Sequence, residues 1–148
     1  MTNYGSHAII SVLIQLIQFR KGCVVIIVID YQDKRPIYEQ IIDRFQILIL
    51  NGALEPDMQL PSVRALAVEL SINANTIQRA YSELERRGLI YSVKGRGNFV
   101  SAQKDVVKEQ QEKLLDELKT QLHICKESGI DFVHVLDCVK EIFQEVKS

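Results

Sequence analysis

Nowhere in this 148-residue chain is there an apolar run of the roughly 18–20 residues that a membrane-spanning helix needs. The nearest approach, Ala8–Phe19, is interrupted by Gln15 and Gln18, and Arg20-Lys21 divides it from Cys23–Ile29. Basic residues follow the apolar segment instead of preceding it, which also argues against a secretory signal. Cysteine is scarce: Cys23, Cys125 and Cys138 are an odd number without framework spacing, so they read as reduced thiols in a cytoplasmic protein. Metal-ligand spacing is missing too. His123 and His134 are symmetric about Ser128-Gly129, near Cys125, but the further ligands of a metal site are not there. No Ser or Cys is spaced to suggest a neighbouring His base, and there is no phosphate-loop signature. The expectation is a protein that is not an enzyme and carries no cofactor or metal.

The chain also has little net charge, −1, so its total says nothing about partners. The distribution says more. Residues 60–100 hold Arg64, Arg79, Arg86, Arg87, Lys94 and Arg96 against Glu69, Glu83 and Glu85, whereas residues 101–148 are acidic on balance. The basic excess falls on the stretch Leu60–Val100, where Val63, Leu66, Ala67 and Leu70 recur at helical spacing. Ile77, Tyr81 and Leu84 repeat the pattern after Ser71-Ile72-Asn73, which is long enough only for a turn. Ser62 and Asn73 are suitable N-caps, and Gly88 ends the second helix. Two short helices about a tight turn predict a helix-turn-helix, with the polar face of the second helix turned to DNA. Leu89–Val93 and Asn98–Val100 then read as strands about Lys94-Gly95-Arg96-Gly97, a tip whose glycines allow close backbone approach and whose cations suit phosphate. An ordinary hairpin turn is the plain alternative; its place after a helix-turn-helix makes it a wing.

The flanks organise around this stretch. Cys23–Ile29 is β-branched and reads as a short strand. Ala8–Phe19 reads either as an amphipathic helix or as sequence from a start codon set too far upstream, the second being preferred. Pro36 opens a helix over Ile37–Leu50 with Tyr38, Ile41, Phe45 and Leu48 on one stripe; Ile42, Ile47 and Ile49 widen it, so cover on more than one side is expected. Leu54 and Leu60 are candidate anchors of the connector that follows. Lys104–Glu127 carries Val107, Leu114, Leu118, Leu122 and Cys125 on one face; after Ser128-Gly129, Ile130–Lys147 carries Phe132, Leu136, Val139, Phe143 and Val146. Two antiparallel helices of this size cannot bury such faces on each other alone, which points to a second copy of the chain.

The assembled pattern resembles the GntR family of bacterial transcription regulators. The residues that carry it run from Pro36-Ile37-Tyr38-Glu39-Gln40-Ile41 through Leu60-Pro61-Ser62, Arg64, Asn75-Thr76 and Arg79-Ala80-Tyr81 to Gly88-Leu89-Ile90, Gly95-Arg96-Gly97 and Phe99-Val100. The short helical tail is similar to that of the YtrA-like subfamily, where it serves dimerisation. Asp57, Ala74 and Asn98 depart from frequent family residues (Gly, Pro and Thr). The resemblance implies DNA contact by Arg64, and members of the subfamily often control neighbouring transporter genes.

The reading is a mainly α protein with a small β wing. An N-terminal extension covers residues 1–24, a winged helix-turn-helix residues 25–102, and a two-helix antiparallel dimerisation tail residues 103–148. Arg64, Asn73, Asn75, Thr76, Gln78, Arg79, Lys94, Gly95, Arg96 and Gly97 are the expected contacts to double-stranded DNA, with Tyr81 read mainly as core and Arg86 and Arg87 as solvated surface. Leu114, Leu118, Leu122, Phe132, Leu136, Val139 and Phe143 are the expected dimer contacts. The function expected is that of a homodimeric regulator, a repressor by preference, on a palindromic operator, with no membrane partner and no readable small-molecule effector. The rival is a winged-helix protein–protein interaction module.

Overall fold

The protein is described here by a computed structural model covering residues 12–18 and 24–145. It divides into two compact units, Met1–Val107 and Lys108–Ser148. Cys23, residues 1–11 and Val146 lie outside the described residues, as do the expectations that fall on them.

The first unit opens with β1 (Val12–Gln18) antiparallel to β2 (Val24–Asp30), Val12 opposite Asp30 and Gln18 opposite Val24. The expected second strand is present. The segment before it is a strand too, not the amphipathic helix that was one reading of Ala8–Phe19. The spacing of Gln15 and Gln18 suits a helix, but the exposed ladder of a β-branched partner outweighs local periodicity. In β2, Ile27 and Ile29 are buried while Val28 and Asp30 are only half-buried, the period of two that sets a strand on a core.

Helix α1 (Ile37–Leu50) starts directly after Pro36, whose fixed φ and missing N–H suit that position, and ends at Asn51, with Gly52 in a left-handed conformation. Ile41, Phe45 and Ile49 face the core, and Ile42 is buried beside them. Ile47 is not covered as expected; it is 51% exposed. Gln40 is buried but satisfied: its Oε1 accepts from the Asp30 N–H at 2.9 Å and its Nε2 donates to the Asp30 carbonyl at 3.0 Å. A side-chain amide thus stands in for a ladder partner at the end of β2.

Helices α2 (Val63–Leu70) and α3 (Ala74–Arg86) are the expected pair. Between them Ser71 adopts φ 54°, and the Ile72 N–H returns to the Ala67 carbonyl at 2.9 Å, closing α2 as a C-terminal cap. Leu66, Leu70, Ile77, Tyr81 and Leu84 are all buried, and the Phe45 and Tyr81 rings meet edge to face at 5.7 Å. Burial of each such side chain stabilises by roughly 1.5–3 kcal/mol, so this contact welds α1 to α3.

Strands β3 (Ile90–Val93) and β4 (Gly97–Val100) form the hairpin, with Ile90 opposite Val100 and Val93 opposite Gly97. The connector before α2 is more than a link. Gln59 pairs with Phe99, and backbone bonds join Leu60 to Asn98, Val100 to Met58 and Asp57 to Val100 at 2.8–2.9 Å. Leu54 and Leu60 anchor it in the core.

Helix α4 (Lys104–Glu127) begins in the first unit and runs into the second, where α5 (Phe132–Glu145) follows a turn with Gly129 at φ 77°. Both tail helices are present. In the single chain they leave their apolar residues open: Leu114, Leu118, Leu122, Phe132, Leu136, Val139 and Phe143 are all exposed, Phe132 and Phe143 by more than 70%. Among the described residues no helix is long and apolar enough to cross a membrane.

Candidate nucleic-acid interface

The ten expected DNA-facing residues lie at three places in the first unit: the start of α2, the N-terminal half of α3, and the β3–β4 turn. Thr76 and Gly97 are half-buried and the other eight are exposed.

At α2, Ser62 Oγ accepts from the Ala65 N–H at 3.1 Å, which fixes the first turn. Arg64 stands on that turn, exposed and without an ion pair among the described residues. At α3, Asn73 caps the helix: its Oδ1 accepts from the Asn75 N–H at 2.8 Å. That oxygen spends one of its two lone pairs on the cap, and the Asn73 amide NH₂ makes no hydrogen bond among the described residues and can meet an outside acceptor. Asn75 and Thr76 occupy the first turn, where the helix end favours a phosphate. Gln78 donates to Ser82 Oγ at 3.3 Å along the exposed face. Arg79 does not extend freely; its guanidinium lies over the Tyr38 ring, 3.7 Å from the centroid. Tyr81 resolves toward the core, 2% exposed, with its hydroxyl donating to the Pro61 carbonyl at 2.9 Å. Burial raises its phenol pKa well above the ordinary value.

The wing tip turns at Arg96, whose N–H donates to the Val93 carbonyl at 2.9 Å, between Gly95 at φ 75° and Gly97 at φ 116°. Lys94 and Arg96 project from it, exposed and without ion pairs among the described residues. Gln59 Nε2 donates to the Arg96 carbonyl at 2.8 Å and lies 3.2 Å from where a Cβ on Gly97 would stand. A side chain at residue 97 would push that tether away. The other end is tied to α3, where Glu85 accepts from both the N–H and the Oγ of Ser92, at 3.0 and 2.6 Å. Tyr91 stacks on Phe99 and donates to Asp57 Oδ1 at 2.8 Å. That bond, more than burial, raises the Tyr91 pKa.

Electrostatically, the cations differ in their partners. Arg86 and Arg87 share Glu83 at 2.7 and 2.8 Å; Arg86 is exposed, as expected of solvated surface, whereas Arg87 is half-buried and also donates to Gln46 of α1 at 2.8 Å, so it is not simply solvated surface. The two guanidiniums hold the Glu83 carboxyl down to about 2. Arg64, Lys94 and Arg96 have no carboxylate partner among the described residues. Sequence reasoning missed Gln59 and Tyr38 as supports. The alternation Met58-Gln59-Leu60 was the available signal for Gln59; Tyr38 sits on an apolar stripe, and nothing local reveals which arginine lies over it.

A helix-turn-helix closed by a two-stranded wing, with unpaired cations at both, defines a winged helix-turn-helix DNA-binding domain. The family model for bacterial regulatory proteins, gntR family, matches residues 37–100. The chain is 37% identical over 121 residues to the HTH-type transcriptional repressor YtrA of Bacillus subtilis (strain 168), a match that covers 80% of this chain and 93% of that protein. The uncharacterized HTH-type transcriptional regulator YhcF of the same organism is 37% identical over 112 residues, 75% of this chain and 93% of YhcF. A solved GntR family transcriptional regulator from Listeria monocytogenes superposes with a TM-score of 0.65 at 34% identity, over 74% of this chain and 96% of that one. The chain belongs to the GntR family of bacterial transcription regulators, on its YtrA-like branch, and is a DNA-binding regulator, not an enzyme.

Proposed function

We propose that the chain acts in the cytoplasm as a homodimeric repressor on a palindromic operator, with α3 of each copy in a major groove and each β3–β4 wing alongside. The observation that carries this reading is where exposed cations without an ion pair among the described residues fall: Arg64 on the first turn of α2, and Lys94 and Arg96 at the tip of the wing that follows α3. A winged-helix protein–protein module would have no use for that placement. In the DNA reading Arg64 takes guanine or phosphate bidentately, Asn73, Asn75, Thr76 and Gln78 meet the groove, and Lys94 and Arg96 follow the backbone. The exposed apolar residues of α4 and α5 are the surface on which two copies join, so that the operator's two-fold symmetry mirrors the protein's. The relative YtrA is named a repressor, which supports that sign of regulation here; control of neighbouring transporter genes is carried over from the resemblance to that branch of the family alone.

The test is selection of duplexes from a random pool by the full-length protein, followed by affinity measurements at two salt concentrations. Enrichment of an inverted repeat is expected, with binding that weakens steeply as salt rises, at a log–log slope of about −0.9 for each phosphate contact. No enriched sequence, or binding indifferent to salt, defeats the reading.

A further inference from the structure

Four arginines line an open cleft of about 530 Å³ between α1 and α3: Arg35, Arg79, Arg86 and Arg87. Three are held by carboxylates, Arg35 by Asp33 at 2.7 Å and Asp43 at 2.6 Å, Arg86 and Arg87 by Glu83. The remaining carboxylate of the cleft, Glu39, accepts from the Tyr38 hydroxyl at 2.9 Å. Every carboxylate lining the cleft is therefore engaged by a group other than Arg79. Arg79 instead lies over the Tyr38 ring at 3.7 Å, and no hydrogen bond among the described residues uses its N–H groups.

We propose that Tyr38 is a positioning residue for DNA recognition: its ring holds the Arg79 guanidinium in a fixed plane and leaves the N–H edge free for an oxygen of the DNA. The inference rests on the DNA reading given above and extends it to a residue of α1. Stacking on a π face attracts the cation without consuming any of its donors, which lie in the guanidinium plane. An ion pair in the same place would consume them and neutralise the charge. The Arg35–Asp43 and Arg86/Arg87–Glu83 pairs keep two carboxylates of the cleft from capturing Arg79. A long side chain held in place before binding loses less conformational freedom on contact, so the ring raises affinity without touching the DNA.

The experiment uses full-length protein and a fluorescent duplex enriched from a random pool by the wild type. Affinities are compared for Tyr38→Phe, Tyr38→Leu, Arg79→Ala and the double variant Tyr38→Leu/Arg79→Ala. Tyr38→Leu keeps an apolar side chain at this half-buried position and removes the π face together with the hydroxyl, whose loss Tyr38→Phe reports by itself. It is expected to weaken binding about fivefold, the size of an exposed cation–π contact. Tyr38→Phe is expected to stay within about twofold of wild type, and the double variant to match Arg79→Ala alone. Tyr38→Leu binding as tightly as wild type, or weakening binding equally in the Arg79→Ala background, overturns the proposal. Proton NMR of the free wild type supplies a readout that needs no variant. Upfield ring-current shifts of the Arg79 side chain are expected, and unshifted signals overturn the stacking. A wild type that enriches no duplex defeats the DNA reading and this proposal with it, whereas an enriched duplex with uncoupled variants defeats the proposal alone.

Discussion

Tyr81 divides its labour between its ring and its hydroxyl. The ring, on the stripe of Ile77 and Leu84, fills the contact with Phe45; the hydroxyl satisfies the Pro61 carbonyl just before α2. Tyr81→Phe should keep the packing and leave that carbonyl without its partner, at a loss of about 1–2 kcal/mol. Urea unfolding with an unchanged slope and a lowered midpoint would show it. Arg64→Ala removes an exposed side chain with no intramolecular partner, so stability should stay within about 0.5 kcal/mol while operator affinity falls by roughly 1–3 kcal/mol. Unchanged affinity would take Arg64 out of the interface. These residues also mark what was legible beforehand. Apolar spacing placed the Tyr81 ring in the core, and cap chemistry placed Asn73 at the start of α3. Periodicity cannot name an acceptor twenty residues upstream.

At the scale of elements, the wing depends on Asp57 and α3 on Glu83. Asp57 adopts φ 62°, where a side chain is strained and glycine is at ease. Asn tolerates that conformation and can still accept from Tyr91, so Asp57→Asn should be nearly neutral, while Asp57→Ala should be less stable than Asp57→Gly by about 1 kcal/mol. Denaturant midpoints of the three variants test the order. Glu83 is held ionised by Arg86 and Arg87, its carboxyl at about 2 against an ordinary 4.5. A folded-state value below the unfolded one stabilises the fold fully above about pH 4.5, and the contribution fades as pH falls to about 2. Arg86 is largely exposed, so solvent screening keeps the contribution below about 1 kcal/mol. Glu83→Gln should show that small deficit at pH 7 and none near pH 2; a deficit that persists in acid would mean something other than the ion pairs. The helices of the domain were readable because caps, spacing and glycines agreed on them. β1 was not, because its strand state depends on pairing with β2, and neither was the pairing of Gln59 with Phe99, forty residues apart in the chain.

The first unit has a well-buried core, whereas α4 and α5 carry large apolar side chains that are exposed among the described residues. Phe132 and Phe143 stand more than 70% exposed on α5, with Leu136 and Val139 at helical spacing between them. Phe143→Asp should turn the proposed dimer into a monomer by sedimentation velocity, leave the thermal unfolding of the first unit in place, and weaken binding to a full operator far more than to a half-site. A variant that remains dimeric would move the interface elsewhere. Helix lengths and faces of this tail were legible in the sequence, because both are local properties; what covers the faces is a matter between chains.

The backbone bonds joining Asp57, Met58 and Leu60 to Asn98 and Val100 have a further consequence. They bring the two ends of the reading segment side by side, so α2, α3 and the wing form a loop closed by its own strand pairing. A segment whose ends meet can be exchanged as a cassette. Residues 57–100 of a relative, grafted onto this α1 and tail, need match only the surface that Phe45 and its neighbours present, and operator preference should travel with the graft.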